Sequence, residues 1–126
     1  MSFTDYLEEK LLDHTFRSIA YTAPAALYVG VFTGAPGESD LGVEVSGGSY
    51  ARQAVTFSRS GSVLTNTSAI NFPGATADWG TVISGGVFDA ASSGNLLAKA
   101  ALASARTVLS GDILTISAGQ LTISLD

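Results

Sequence analysis

Apolar positions follow two different periods along this chain. From Ser2 to Ile19, SFTDYLEEKLLDHTFRSI, they recur at helical spacing. Leu7, Leu11, Leu12, Phe16 and Ile19 make one broad stripe, with Glu9, Lys10, Asp13 and Arg17 opposite. Ser2 followed by Asp5 reads as a capping box with Asp in the place of Glu, and sets the expected helix start. Asp13 and Arg17 attract at i, i+4, while Glu9 and Asp13 repel. Pro24 pushes Ala23 into extended backbone and marks the stop. Five such side chains contribute about 8–15 kcal/mol if fully buried, so the stripe has to pack on something. The domain's own sheet, a neighbouring subunit and a bundle of its own copies all fit.

Beyond Ala20 the period shortens towards two. ALYVGVFT (26–33) reads as a buried strand. GAPGESDLGVEVSGG (34–48) reads as a long acidic, glycine-rich loop, and loops of that length are commonly functional. YARQAVTF (50–57) alternates, with Tyr50, Arg52, Ala54 and Thr56 on one face and only its second half clearly core. Short strands follow at 62–65 and 69–72. The stretch 71–90, NFPGATADWGTVISGGVFDA, reads as a central strand pair with a bulge at Gly85-Gly86. Residues 95–102 favour a strand over a helix, and 106–109 a short edge. Residues 113–117 and 120–125 alternate around Ala118-Gly119 as a hairpin. Strands at this spacing indicate a mainly β fold, a β-sandwich or open barrel of antiparallel strands preceded by one amphipathic helix. The expected division is 1–20 as an assembly helix and 21–126 as the β domain.

Composition narrows the function. At 126 residues the chain fits one domain with its own core, and 46% hydrophobic content is too much for a disordered segment. Charged residues are only 13%, which suits a surface largely covered by partner subunits and equally a rigid all-β domain. The net charge is −5 and the six basic residues are scattered, so no nucleic-acid partner is expected. There is no cysteine, hence no disulfide or thiolate metal site. No secretory signal pattern and no apolar run of about 20 residues is visible, so no membrane association is expected.

A search for chemistry returns little. His14 is a lone histidine on the polar side of the helix. No G-x-S-x-G elbow is present, and the chain lacks a usual zinc set. Asp78, Asp89 and Asp112 each fall in a turn, where Asp serves the backbone. Glu38, Asp40 and Glu44 lack the alternating spacing of a calcium loop and read as loop contacts. Tyr50 and Trp79 are open to two readings, an exposed pair that stacks on a sugar ring or core aromatics with polar handles. The expectation is therefore no enzyme, no metal and no cofactor.

The order of LYVGVFT (27–33), EVSGGSYARQAVTF (44–57), NFPGATADWGTV (71–82), VFDAASSGNLL (87–97) and LTISLD (121–126) resembles a family of small bacteriophage virion proteins often labelled tail-fibre proteins. The resemblance implies a multi-copy structural protein on the virion, as a capsid-decoration or tail-fibre component made in the bacterial cytoplasm. Its implied partners are its own copies, as a trimer or higher oligomer, and other virion proteins. The helix stripe (Leu7, Leu11, Leu12, Phe16, Ile19) is the expected subunit interface. A carbohydrate-binding module for the host surface is the alternative.

Overall fold

The computed structural model describes residues 1–125. Among these residues eleven strands and one helix run in the order β1 (Ser2–Phe3), α1 (Asp5–Phe16), β2 (Leu27–Gly34), β3 (Val43–Glu44), β4 (Gln53–Val55), β5 (Phe57–Ser60), β6 (Val63–Asn66), β7 (Ile70–Asn71), β8 (Gly80–Phe88), β9 (Leu96–Val108), β10 (Thr115–Ile116) and β11 (Thr122–Ser124). The fold is mainly β and antiparallel, and its sheets are not closed into a barrel, as the alternation predicts.

The principal sheet has the order β1-β9-β8-β2-β3, with β4 also on β2. Its middle strands are buried on both faces. Val29, Val31, Val82 and Val108 form one core cluster with Ile70 of the facing layer and with Phe72 and Trp79. That layer consists of two small sheets, β10-β7 and β11-β6-β5. Phe32, Phe88 and Leu96 form a second cluster on the reverse face. Double burial explains why LYVGVFT is a continuous apolar run rather than an alternating one.

Several local expectations change. The helix covers Asp5–Phe16 rather than residues 2–19. Ser2 and Phe3 are drawn off to pair with Lys99 and Ala98, which removes the capping box. Thr4 takes the N-cap position, but its hydroxyl donates to the Leu96 carbonyl at 2.6 Å instead of capping the helix. At the other end Ser18 adopts a left-handed φ of 58°, and Ile19 lies outside the helix. The 71–90 stretch is no strand pair, since β7 is short and pairs with β10, leaving one long strand, β8. Residues 95–102 and 106–109 join into the single 13-residue β9. The expected 113–125 hairpin does not form, because β10 pairs with β7 and β11 with β6. Its alternation was real, but each half found its partner elsewhere. YARQAVTF is divided between β4 and β5, which belong to different sheets. The acidic loop holds β3 and the buried Val45 in its second half.

The glycine pair is not a bulge either. Gly85 and Gly86 stay in register with Ala100 and Lys99, and the irregularities flank them. Gly86 instead permits close packing: a Cβ there would lie 2.6 Å from Leu96 Cδ1 and 3.0 Å from the Ala98 carbonyl oxygen. At Gly85 the nearest atom would be the Gly30 oxygen at 3.7 Å. Gly86→Ala is thus expected to lose about 1–3 kcal/mol through overpacking, and Gly85→Ala less than about 1 kcal/mol. Urea unfolding of the two variants side by side tests this. Equal losses would mean that the gap at Gly86 is not held by packing.

Candidate interaction site

The helix stripe divides in two. Leu7 and Leu11 are half-buried where α1 leans on β9 and β1. Leu12, Phe16 and Ile19 face solvent, at 58%, 79% and 46% exposure. No residue of α1 is buried. The expected Asp13–Arg17 ion pair forms at 2.8 Å on the surface, where such pairs add little stability. His14 is exposed and its Nδ1 accepts the Tyr21 amide proton at 3.2 Å, so it closes the turn after the helix.

The three acids of the 34–48 segment have separate roles and do not form one site. Glu38 is exposed and pairs with Lys99 at 2.8 Å. Asp40 Oδ1 accepts the amides of Gly37 and Gly42, holding a local turn. Glu44 is drawn inward by Arg52. Asp5, Glu8 and Glu38 bring carboxylate oxygens within 4.8 Å of one another, all exposed. With Lys99 already on Glu38, they read as a solvated acidic cluster. Asp78, Asp89 and Asp112 each accept a turn amide, from Ser110, Asn95 and Leu109 respectively. Their carboxylates serve the backbone, as their positions in the sequence imply.

The most elaborate polar arrangement is not visible in the alternation, which sets Arg52 on the Tyr50 face in the half of its strand that is not clearly core. Arg52 instead grips Glu44 with two bonds, Nε to Oε2 at 2.9 Å and Nη2 to Oε1 at 2.8 Å. Its Nη1 donates to the carbonyls of Ala90 and Ser93, and its guanidinium lies 3.4 Å from the Phe88 ring centroid. The planar fork of arginine suits this combination of bidentate pairing and stacking.

Tyr50 completes the knot. Its hydroxyl donates to Glu44 Oε2 at 2.7 Å and accepts the Val31 amide at 3.1 Å. The latter bond fills the gap on β2 between its pairings with β4 and β3. Burial, reinforced by the Glu44 carboxylate, pushes the Tyr50 hydroxyl well above its ordinary value near 10. The unfolded chain ionises first, so this contribution is intact below about pH 10 and is lost as pH rises beyond it. Wild type should therefore weaken steeply above pH 10. Tyr50→Phe should flatten that alkaline limb while costing about 1–3 kcal/mol at neutral pH, because the Val31 amide loses its partner. Unfolding curves from pH 7 to 11 read both effects, and identical alkaline limbs would remove Tyr50 as their cause.

Trp79 is buried. It meets Tyr50 edge-on at 5.3 Å and Phe72 at 6.4 Å, and its Nε1–H donates to the Gly48 carbonyl at 2.9 Å. Tyr50 is half-buried and stacks on Phe72. Of the two readings open to this pair, the geometry matches core aromatics with polar handles. Trp79, at 7% exposure, offers no open face.

Among the described residues, no helix is long and apolar enough to cross a membrane. Residues 2–124 match the family model described as podophage GP4 fiber I protein gp80. No curated protein matches the chain.

Proposed function

The chain belongs to the podophage GP4 fiber I protein family, and from that premise we propose that it is a multi-copy structural component of a phage virion. The family's fibre designation favours a place in a fibre over capsid decoration. In this reading residues 1–20 are the assembly element and the β domain is the rigid body they connect. The chain associates with its own copies, as a trimer or higher oligomer, and with other virion proteins.

One observation carries the proposal: Leu12, Phe16 and Ile19 stand exposed on a terminal segment of a charge-poor chain. Apolar side chains gathered like this mark an interaction surface. Leu41 and Val43 add exposed apolar area in the acidic loop, beside Glu38 and Asp40. This agrees with a loop that lies against a neighbour.

Size-exclusion chromatography with light scattering tests the reading. Wild type should be an oligomer at micromolar concentration. Leu12→Asp combined with Phe16→Asp should give monomers with an unchanged β signal in circular dichroism. A monomeric wild type at high concentration would refute self-assembly.

A further inference from the structure

The two layers of the sandwich separate beside β9 and leave a groove of about 550 Å³. Val29, Val31 and Leu102 line it from the principal sheet, and Leu114, Ile116 and Leu121 from the facing layer. These six are apolar. Among the described residues, the one charged side chain in the lining is that of Arg106, and no carboxylate lines it. Arg106 is exposed and, among the described residues, makes no ion pair.

The outward face of α1 has the complementary character. Leu12 and Phe16 are exposed, and Glu8 and Glu9, one turn before Leu12, are exposed beside them, so Glu9 flanks this outer part of the stripe rather than lying opposite it. The helix carries four carboxylates, from Asp5, Glu8, Glu9 and Asp13, against the single Lys10. An apolar face preceded by acids matches an apolar groove flanked by an unpaired arginine. The edge of the groove argues against a strand as occupant. β9 carries an irregularity opposite Val82 to Ser84 that leaves Leu102 to Ala105 outside the ladder, which makes a poor template for strand addition.

We propose that the groove receives the outward face of α1 from a second copy of this chain. The inference rests on the reading of α1 as an assembly element and names the surface that receives it. The contact is head-to-tail, so each chain offers one helix and one groove, and closure of the series gives a ring.

Two variants separate the surfaces. Leu12→Gln with Phe16→Gln disables the helix, and Ala103→Asp with Arg106→Glu disables the groove. All four positions are exposed, so both variants should keep the wild-type circular dichroism and melting temperature. Light scattering should give one chain's mass for each variant alone. An equimolar mixture should give a complex of two chains and no larger, since one intact helix meets one intact groove. Wild-type assembly by the groove variant overturns this inference. If the helix variant alone is then monomeric, helices meet helices, and the assembly reading survives without the groove. If both variants assemble like wild type, α1 is not the contact and both readings fall.

Discussion

Arg52→Ala should lower the stability of the domain by about 3–5 kcal/mol, the usual cost of removing one partner from a buried ion pair. The Arg52 side chain is 7% exposed, and its loss leaves Glu44 with the Tyr50 hydroxyl and no cation. The carbonyls of Ala90 and Ser93 lose their donor in the same step. Three separated segments come loose together: the second half of the acidic loop, the start of β4 and the turn after β8. Urea or thermal unfolding should therefore register a drop in melting temperature of roughly 10–20 °C. Arg52→Lys should recover only a small part, because an ammonium cannot bridge both carboxylate oxygens, stack on Phe88 and reach two carbonyls at once. A loss under about 1 kcal/mol for Arg52→Ala would mean that the pair behaves as a solvated surface bridge.

That knot also gives the loop a physical role. Glu44 and Tyr50 anchor the second half of the 34–48 segment and the strand that follows it. Leu41 and Val43 remain exposed beside that anchor. A surface held in this way loses little conformational freedom when it meets a partner, which favours association. In the proposed assembly this polar cluster holds the exposed loop surface in place.

The parts of the fold that could be read from sequence are those whose partners lie within one element. The β2 run, the Asp13–Arg17 pair, the turn role of the aspartates and the helical stripe each depend on local spacing. The parts that could not be read depend on what the rest of the chain supplies. Ser2 and Phe3 carry no local strand signal, and become a strand only because β9 offers an open edge at Ala98 and Lys99. The alternation at 113–125 gives two strands but not their pairing, since each half pairs with a strand distant in sequence, β10 with β7 and β11 with β6. Arg52 gives no local sign of burial; its place depends on Glu44, eight residues earlier, which it pairs with, and on Phe88, which it stacks over. The groove is less legible still. Leu102, Leu114 and Leu121 are ordinary core candidates in the sequence, and only the divergence of the layers leaves them facing a gap. The helix could be read as amphipathic, but how much of its stripe its own sheet would cover depended on the tertiary fold.

Trp79→Ala should cost about 3–5 kcal/mol, as expected for truncating a large buried aromatic. The indole joins the layers: it packs edge-on against Tyr50 and Phe72, and its N–H holds the Gly48 carbonyl. Gly48 is fitted to it in turn, with φ of +59° and a position where a Cβ would lie 2.9 Å from the indole ring. Gly48→Ala should therefore reproduce part of the loss, and Trp79→Phe should retain the packing but lose the hydrogen bond. The same residue tests the sugar-binding alternative, which needs an aromatic face open to a ring. With Trp79 at 7% exposure, native tryptophan emission should be blue-shifted and shielded from acrylamide. It should not respond to bacterial surface polysaccharide. If emission is quenched as readily as that of free tryptophan, or Trp79→Ala unfolds like wild type, the ring lies at the surface and stacking on a glycan becomes physically accessible. A buried ring and a destabilised Trp79→Ala variant instead leave surfaces elsewhere, α1 first among them, to carry recognition.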